Sequence, residues 1–354
     1  MMNVFCLLLI IGLAFLQGAL SEPEWNDVDG IDRISAARRL QWPDDCNPSY
    51  CTDFEMDETL QEAALLTYNA RRAIDVILGT KTDKVVAKNS RNERFLQAAK
   101  ALFHIDYGDA PDNPKMWAVA QDKRFILFYV KEFFDRVYQF LKQGGVYKPK
   151  MLCGDEDIKF VTKMKEIGGR PPDEPIWKAK NEDKKTTPGW YISNFYSPKD
   201  KEGNRIEDRV VRIHTDRPIC RRRPSSDGMV VEGQTFRDVR VIVLCNHIFG
   251  YKELEKLIRD QKRLAVGTSL DTQDTRGAVW LHEYLHYISP EMTDQEIDVG
   301  TGKQRAYDVD LCMALARKSA SAKEARDNPE NYVKLATAVS LRRVKWFPSG
   351  KKAN

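Results

Sequence analysis

The sequence has few histidines and a small net charge, and both features limit the classes of function that the protein can have. Five histidines occur among 354 residues, and none of them follows His286. The formal net charge is +4, from 56 basic and 52 acidic residues, an excess too small to predict a nucleic-acid partner. Beyond the N-terminus no apolar run is long enough to cross a membrane. No Asn-X-Ser/Thr sequon is present, so N-glycosylation is not expected.

The first 21 residues are typical of a secretory signal peptide. An almost wholly apolar run extends from Val4 to Phe15, and small residues precede a cleavage point after Ser21. An uncleaved anchor helix is the alternative, but the run is short for a bilayer. We therefore expect a secreted, extracellular protein without membrane contact once the signal peptide has been removed.

The cysteine content agrees with export. Once Cys6 has left with the signal peptide, an even number of cysteines remains, which predicts three disulfides with 15 possible connectivities. Free buried thiols are the alternative for some of them. The six residues are Cys46, Cys51, Cys153, Cys220, Cys245 and Cys312.

The chain divides into a leader, one large domain and a short tail. Residues 22–57 are polar and rich in Asp, Pro and Trp, which predicts an extended leader. Arg38-Arg39 inside the leader could mark a propeptide cleavage site, although an exposed basic pair on a short helix, 31–40, is the preferred explanation. Residues 58–348 form the predicted domain, and 349–354 are predicted to be a loose tail.

The hydrophobic periodicity predicts an α+β fold. Helical spacing dominates the N-terminal part of the domain and returns after residue 250, whereas the middle contains short strand-like runs. The first predicted helix begins at Asp57. Six further helices are predicted, at 92–105, 124–142, 251–262, 278–288, 306–319 and 329–344. The predicted strands are 189–196, 210–214 and 239–245.

One helix carries a metal-binding pattern. Residues 278–288 read AVWLHEYLHYI, with His282 and His286 four positions apart and Glu283 between them. Side chains at i and i+4 lie on one face of a helix, so both imidazoles can reach the same ion while Glu283 orients a water molecule. Two histidines packed in a core are the alternative explanation.

A catalytic zinc ion takes three protein ligands and one water, so a third ligand is needed. Upstream histidines are available, although a histidine in a loop needs no metal to explain it. The nearby downstream carboxylates are the other candidates. The upstream set is His104, His214 and His247, and the downstream set is Glu291, Asp294, Glu296 and Asp298.

Three short elements follow this helix in a recognisable order: Ala306-Tyr307, the CMALA segment at 312–316 and the NPENY segment at 328–332. The order resembles the deuterolysin-like aspzincin superfamily. It is most similar to the fungal secreted proteins described as lysine-specific metallo-endopeptidase-like or putative peptidase domain proteins. The resemblance covers residues 240–340 and implies a zincin-like fold with a helical N-terminal part, a small mixed sheet and an active-site helix.

The resemblance also implies roles for individual residues. The Ile-Asp pair at 297–298 fits the family's ligand element, so Asp298 is the preferred third ligand and Asp294 the alternative. Tyr307 would donate to the oxyanion of the transition state, and Cys245 would pair with Cys312. The sequence departs from the deuterolysin pattern after Gly300, where the ligand position falls on Lys303 or Gln304 and the final glycine is Asp308.

These features together predict a secreted zinc metalloendopeptidase. Glu283 and Tyr307 are the expected catalytic residues, and His282, His286 and Asp298 the expected Zn²⁺ ligands. Protein or peptide substrates and a monomeric state are expected. The departures named above favour an alternative, an inactive secreted effector or binding protein that retains the fold, and an exported structural protein with an accidental motif is a third possibility.

Overall fold

A computed structural model describes residues 53–79, 85–143, 149–154, 158–161, 189–193, 212–215, 219–220, 230–237 and 240–353. The signal peptide prediction, the Arg38-Arg39 pair and nearly all of the predicted leader lie outside these residues. The first helix begins at Asp53, so the helical part of the chain starts inside the segment that was predicted to be leader.

Eight α-helices are present in the described part of the chain, and most match a predicted helical segment. Short strands lie between the helices along the chain, so the fold is mixed α and β, as the periodicity predicts. The helices are α1 (Asp53–Leu78), α2 (Ser90–Phe103), α3 (Gln121–Gln143), α4 (Leu254–Asp260), α5 (Arg276–Ile288), α6 (Val309–Lys318), α7 (Lys323–Arg326) and α8 (Pro329–Ser340).

The described strands form small separate sheets. The sheet orders are β1-β3-β2, β4-β9-β8 and β5-β6-β7, and β10 pairs with β11 as an antiparallel hairpin. Among the strands that the structure describes, only β4 and β9 pair in parallel. The strands are β1 (Val85–Ala87), β2 (Tyr107–Ala110), β3 (Asn113–Val119), β4 (Lys150–Cys153), β5 (Ile158–Val161), β6 (Gly189–Ser193), β7 (Arg212–Thr215), β8 (Gly233–Phe236), β9 (Val241–Leu244), β10 (Glu296–Asp298) and β11 (Lys303–Arg305).

The main hydrophobic core lies where three helices meet. Helix α5 packs between α1 and α8, and its outer side faces β8 and β9. Trp280 and Tyr284 of α5 stack on each other, and Phe140 of α3 stacks on Tyr284 with ring centroids 4.5 Å apart. The aromatic side of α3 is therefore part of the core, which is the usual place for such a face on a helix.

A buried glutamate joins α1 to the beginnings of two other helices. The carboxylate of Glu62 is 1% exposed and accepts from the backbone N–H groups of Leu254, at 3.1 Å, and Gly277, at 3.0 Å. Helix N-termini carry unpaired N–H groups and a partial positive charge, so they favour a carboxylate. Arg276 adds a cation 3.6 Å from the same side chain. Glu62 therefore fixes the start of α5 against α1.

The C-terminal residues are not a loose tail, which corrects the prediction for 349–354 as far as Ala353. Lys351 forms a β-bridge with Ser269, and the N–H of Lys352 donates to the carbonyl of Thr268 over 2.8 Å. Gly350 also accepts from Leu270 over 2.9 Å. Backbone pairing holds this segment in place, a contact that local composition does not reveal.

None of the helices that the structure describes combines the length and the apolar character needed to span a membrane.

Replacing Gly277 with alanine should destabilise the protein. Alanine is favoured over glycine in a helix by about 1 kcal/mol. However, a Cβ at Gly277 would lie 2.4 Å from the Cβ of Glu62 and 2.7 Å from the backbone nitrogen of Ala63. The second neighbour is backbone and cannot rotate away, so we expect overpacking to lower the free energy of unfolding by roughly 1–3 kcal/mol.

Urea denaturation would measure the change. Gly250→Ala is the matched control, because a Cβ there meets nothing within 4 Å. Equal or greater stability of Gly277→Ala would contradict the close packing of α1 and α5.

Candidate metal centre

Helix α5 places the predicted motif in the interior. Thr275 caps its N-terminus by accepting from the N–H of Ala278 over 3.2 Å, and Pro290 follows its last turn. Every residue from Arg276 to Leu285 is buried, including the polar side chains of His282 and Glu283, which are 9% and 6% exposed. Buried polar groups need partners, so the partners of these two residues define the site.

The two imidazoles and one carboxylate converge. The Nε2 atoms of His282 and His286 are 3.1 Å apart. Oδ1 of Asp294 lies 3.2 Å from the first of these atoms and 3.1 Å from the second. These three side chains could hold a metal ion, since each offers one ligand atom and all these atoms lie within 4.8 Å of one another.

The structure corrects the choice of the third ligand, because Asp294 and not Asp298 joins the histidines. Asp298 ends strand β10 and is exposed, and its carboxylate accepts from the N–H of Gly300 over 2.8 Å. It therefore stabilises the turn of the β10–β11 hairpin. Asp294 precedes this hairpin and lies closer along the chain to the end of α5.

Of the upstream histidines, His104 and His247 do not belong to the group, and the side chain of His214 lies outside the described residues. His104 ends α2 in a left-handed conformation, and its Nδ1 lies 3.1 Å from the carbonyl oxygen of Ala316. His247 lies in a 3-10 turn with its ring against Tyr251. Both have roles in packing or in helix ends.

The second nitrogen of each site histidine is also engaged. Nδ1 of His282 lies 2.8 Å from Oε2 of Glu330, and Nδ1 of His286 lies 2.8 Å from the carbonyl oxygen of Met292. Both acceptors take a proton from Nδ1, so Nε2 is the ring atom that each histidine turns toward the common point. Metal-binding histidines are usually oriented in this way.

Carboxylates dominate the electrostatics of His282. Burial acts to lower its pKa, but the hydrogen bonds to Asp294 and Glu330 outweigh burial and raise the pKa well above the usual value. Burial acts to raise the pKa of Asp294, yet its bonds to His282 and His286 hold that pKa well below the usual value. The site therefore favours positive charge beside Asp294.

The carboxylate of Glu283 contacts the neighbouring sheet. The hydroxyl of Thr235 on β8 lies 2.8 Å from its Oε2 and 2.8 Å from its backbone oxygen. A Cβ on Gly233 would lie 2.8 Å from the Cγ of Glu283, so glycine leaves room for this side chain. Burial raises the pKa of Glu283, opposed by the charges of His282 and His286.

Tyr307 lies beside the third carboxylate. Its hydroxyl donates to Oδ2 of Asp294 over 2.6 Å and accepts from Arg305 over 3.1 Å. Burial raises the pKa of Tyr307, and the charge of Asp294 raises it further. The phenol therefore remains a proton donor. The structure thus places Tyr307 next to the His282, His286 and Asp294 group.

A buried ion cluster lies behind the histidines. Nζ of Lys334, whose side chain is 2% exposed, lies 2.9 Å from Glu330 and 3.2 Å from both Asp271 and Asp274. These residues were not among the sequence-based candidates. Glu330 and Lys334 are one helical turn apart, a spacing that predicts an ion pair, but it gives no indication that the pair is buried or that it meets His282.

The disulfide predicted by resemblance is wrong. Cys245 pairs with Cys220, with Cα atoms 5.2 Å apart, and Cys312 is a free, buried thiol. Its sulfur donates to the carbonyl oxygen of Ala306 over 3.3 Å. Because Cys312 is unpaired, the expected three disulfides cannot form among the six cysteines. Burial raises the pKa of this thiol well above its usual value.

The two aspartates can be separated by mutation. We expect Asp294→Asn to weaken Zn²⁺ binding at least a hundredfold, more than the loss of an outer-shell partner usually costs, because it removes the charged ligand atom. Asp298→Asn should bind Zn²⁺ as the wild type does. Isothermal titration of the metal-free proteins measures both, and the opposite ranking would restore Asp298 as the ligand.

Comparison with known proteins adds no family to these observations. No protein-family model matches the chain, no curated protein matches it, and no solved structure matches it. What can be concluded about function therefore depends on the geometry of His282, His286 and Asp294 and on the side chains around them.

Proposed function

We propose that the protein is a zinc metalloendopeptidase. The observation that carries this proposal is the meeting of three ligand atoms, from His282, His286 and Asp294, beside the buried carboxylate of Glu283. Two imidazoles one helical turn apart, with a glutamate next to the first, form the arrangement typical of zinc peptidases. The proposal includes membership of the aspzincin superfamily, a zincin-like fold and secretion, which the sequence resemblance and the signal peptide prediction favour.

The distances support zinc in particular. Ligand atoms about 2.0–2.1 Å from a tetrahedral zinc ion lie roughly 3.3–3.4 Å from one another. The three atoms here are separated by 3.1–3.2 Å, so only a small expansion is needed. Two nitrogens and one carboxylate oxygen also leave a fourth position for water, as catalytic zinc sites require.

When bound, the metal would lower the pKa of a water molecule and polarise a substrate carbonyl. Glu283 is the group that would accept the proton and pass it to the leaving amine. Burial raises its pKa, which makes the carboxylate a better proton acceptor than an exposed glutamate. Thr235 restricts it to one orientation, so rotation of the carboxylate is limited.

Tyr307 would stabilise negative charge on the carbonyl oxygen. It keeps its proton and already presents that proton to the third ligand, Asp294. With Asp294 engaged as a metal ligand, a developing oxyanion would be the stronger acceptor for the same hydroxyl. Arg305 donates to Tyr307 and keeps the phenol oriented during this exchange.

A peptide substrate fits the surroundings of the site. Strand β8, which carries Thr235 and Gly233, is an edge strand of its sheet in the described part of the chain. An extended peptide can add to such an edge by backbone hydrogen bonds. The alternative of an inactive effector is based on the departures at Gln304 and Asp308. Asp294 offers a carboxylate oxygen to the candidate site without either of them, and Asp308 caps α6.

Glu283→Gln should leave one Zn²⁺ bound per chain and lower kcat at least a hundredfold, because the amide cannot accept the proton. Casein digestion measures activity, and EDTA should abolish it in the wild type. Glu291→Gln is the control, since Glu291 is an exposed glutamate outside the ligand group. Undiminished activity in Glu283→Gln, or a wild type that binds zinc without cleaving casein, would overturn the proposal.

Tyr307→Phe should lower kcat by roughly 100-fold with little change in KM, since an oxyanion donor acts mainly in the transition state. Steady-state kinetics on a fluorogenic peptide mixture gives both constants. Tyr287→Phe is the matched control, because Tyr287 lies outside the ligand group on the same side of the molecule as Arg237. A change in KM alone would assign Tyr307 to substrate binding.

A further inference from the structure

Glu330 connects the candidate metal ligand His282 to the buried ion cluster. Its Oε2 lies 2.8 Å from Nδ1 of His282, and its Oε1 lies 2.9 Å from Nζ of Lys334. The residue is 9% exposed and belongs to the first turn of α8, where the helix favours a negative charge. Both carboxylate oxygens are therefore used, one for each neighbour.

Lys334 holds Glu330 in place from the other side. Its ammonium also contacts Asp271 and Asp274, and Asp271 is fixed in turn by the N–H of Val309 over 2.9 Å. A lysine buried to this degree is costly unless it is fully paired. Three carboxylates thus converge on one ammonium, which leaves Glu330 little freedom to turn away from His282.

The two site histidines differ in how they are held. His286 is oriented by the backbone carbonyl of Met292, which no substitution removes. His282 depends on the Glu330 side chain, the partner of its Nδ1 among the described residues. A carboxylate there fixes the ring and makes Nε2 a better electron-pair donor. We propose that Glu330 is a positioning residue that sets the metal affinity of the site through His282. This inference rests on the proposed metal site.

Two substitutions grade the effect. Glu330→Gln keeps the shape and one acceptor oxygen but removes the charge, and we expect about a 10-fold weaker affinity for Zn²⁺. Glu330→Ala removes the acceptor as well, and we expect about a 100-fold loss. Lys334 keeps two carboxylate partners in each variant, Asp271 and Asp274. Competition with a chelator against the metal-free, full-length protein gives the dissociation constants.

A spectroscopic readout separates orientation from stability. Co²⁺ in place of Zn²⁺ absorbs visible light with band positions that depend on ligand geometry, so Glu330→Ala should shift these bands. Glu324→Gln is the control, because this glutamate of α7 pairs with Lys318 at a distance from the ligands. It should bind both metals as the wild type does. Circular dichroism of each metal-free protein reports whether it is folded.

The outcomes are distinguishable. Wild-type affinities and cobalt bands in both Glu330 variants would overturn the positioning role while leaving the metal site intact. If Glu330→Ala does not fold, the isosteric Glu330→Gln carries the test alone, and an unchanged affinity there overturns the role. A wild type that binds neither metal would instead refute the proposed function.

Discussion

The burial of polar side chains on α5 is the constraint on which the site depends. A helix packed between α1 and α8 can carry His282 and Glu283 inside the protein only if each finds a partner there. Thr235 is the hydrogen-bond partner of Glu283, and Glu330 and Asp294 are the partners of His282. The core therefore selects one orientation of these side chains, and the ligand atoms are brought together before any ion arrives.

The same arrangement has an electrostatic consequence. Asp294, Glu283, Glu330 and the two aspartates near Lys334 place several buried or partly buried carboxylates around the two histidines and Lys334. The opposing charges among the described residues come from Lys334, the half-exposed Arg305 and His282, whose raised pKa favours its charged form. Such an excess of negative charge is unfavourable by itself, and a divalent cation at the ligand atoms would offset it. Metal binding and fold stability should therefore be linked.

The sequence was informative where a single local pattern determines the structure. Helical spacing predicted α5 and its two histidines, and the apolar run at Val241–Leu244 predicted β9. Strands β2 and β3 were missed because they are mostly exposed and contain Gly108 and Pro114, which interrupt any alternation.

The errors at the site share another cause. Asp294 and Asp298 are equally plausible along the chain, and only the hairpin of β10 and β11 decides which carboxylate faces the imidazoles. The pairing of Cys245 with Cys220, and the contact between Glu330 and His282, likewise join residues far apart in sequence. Spacing along a single chain carries no information about such contacts.

The pairing of the C-terminal residues with Ser269 and its neighbours has a practical meaning for anyone who handles this protein. Asp271 accepts a hydrogen bond from Ser269 over 2.9 Å and contacts Lys334. Ser269 and Asp271 therefore connect these C-terminal residues to Lys334, which in turn holds Glu330 against His282. A purification tag fused next to these residues, or their truncation, would disturb the candidate metal site. The same change at an exposed terminus normally has little effect.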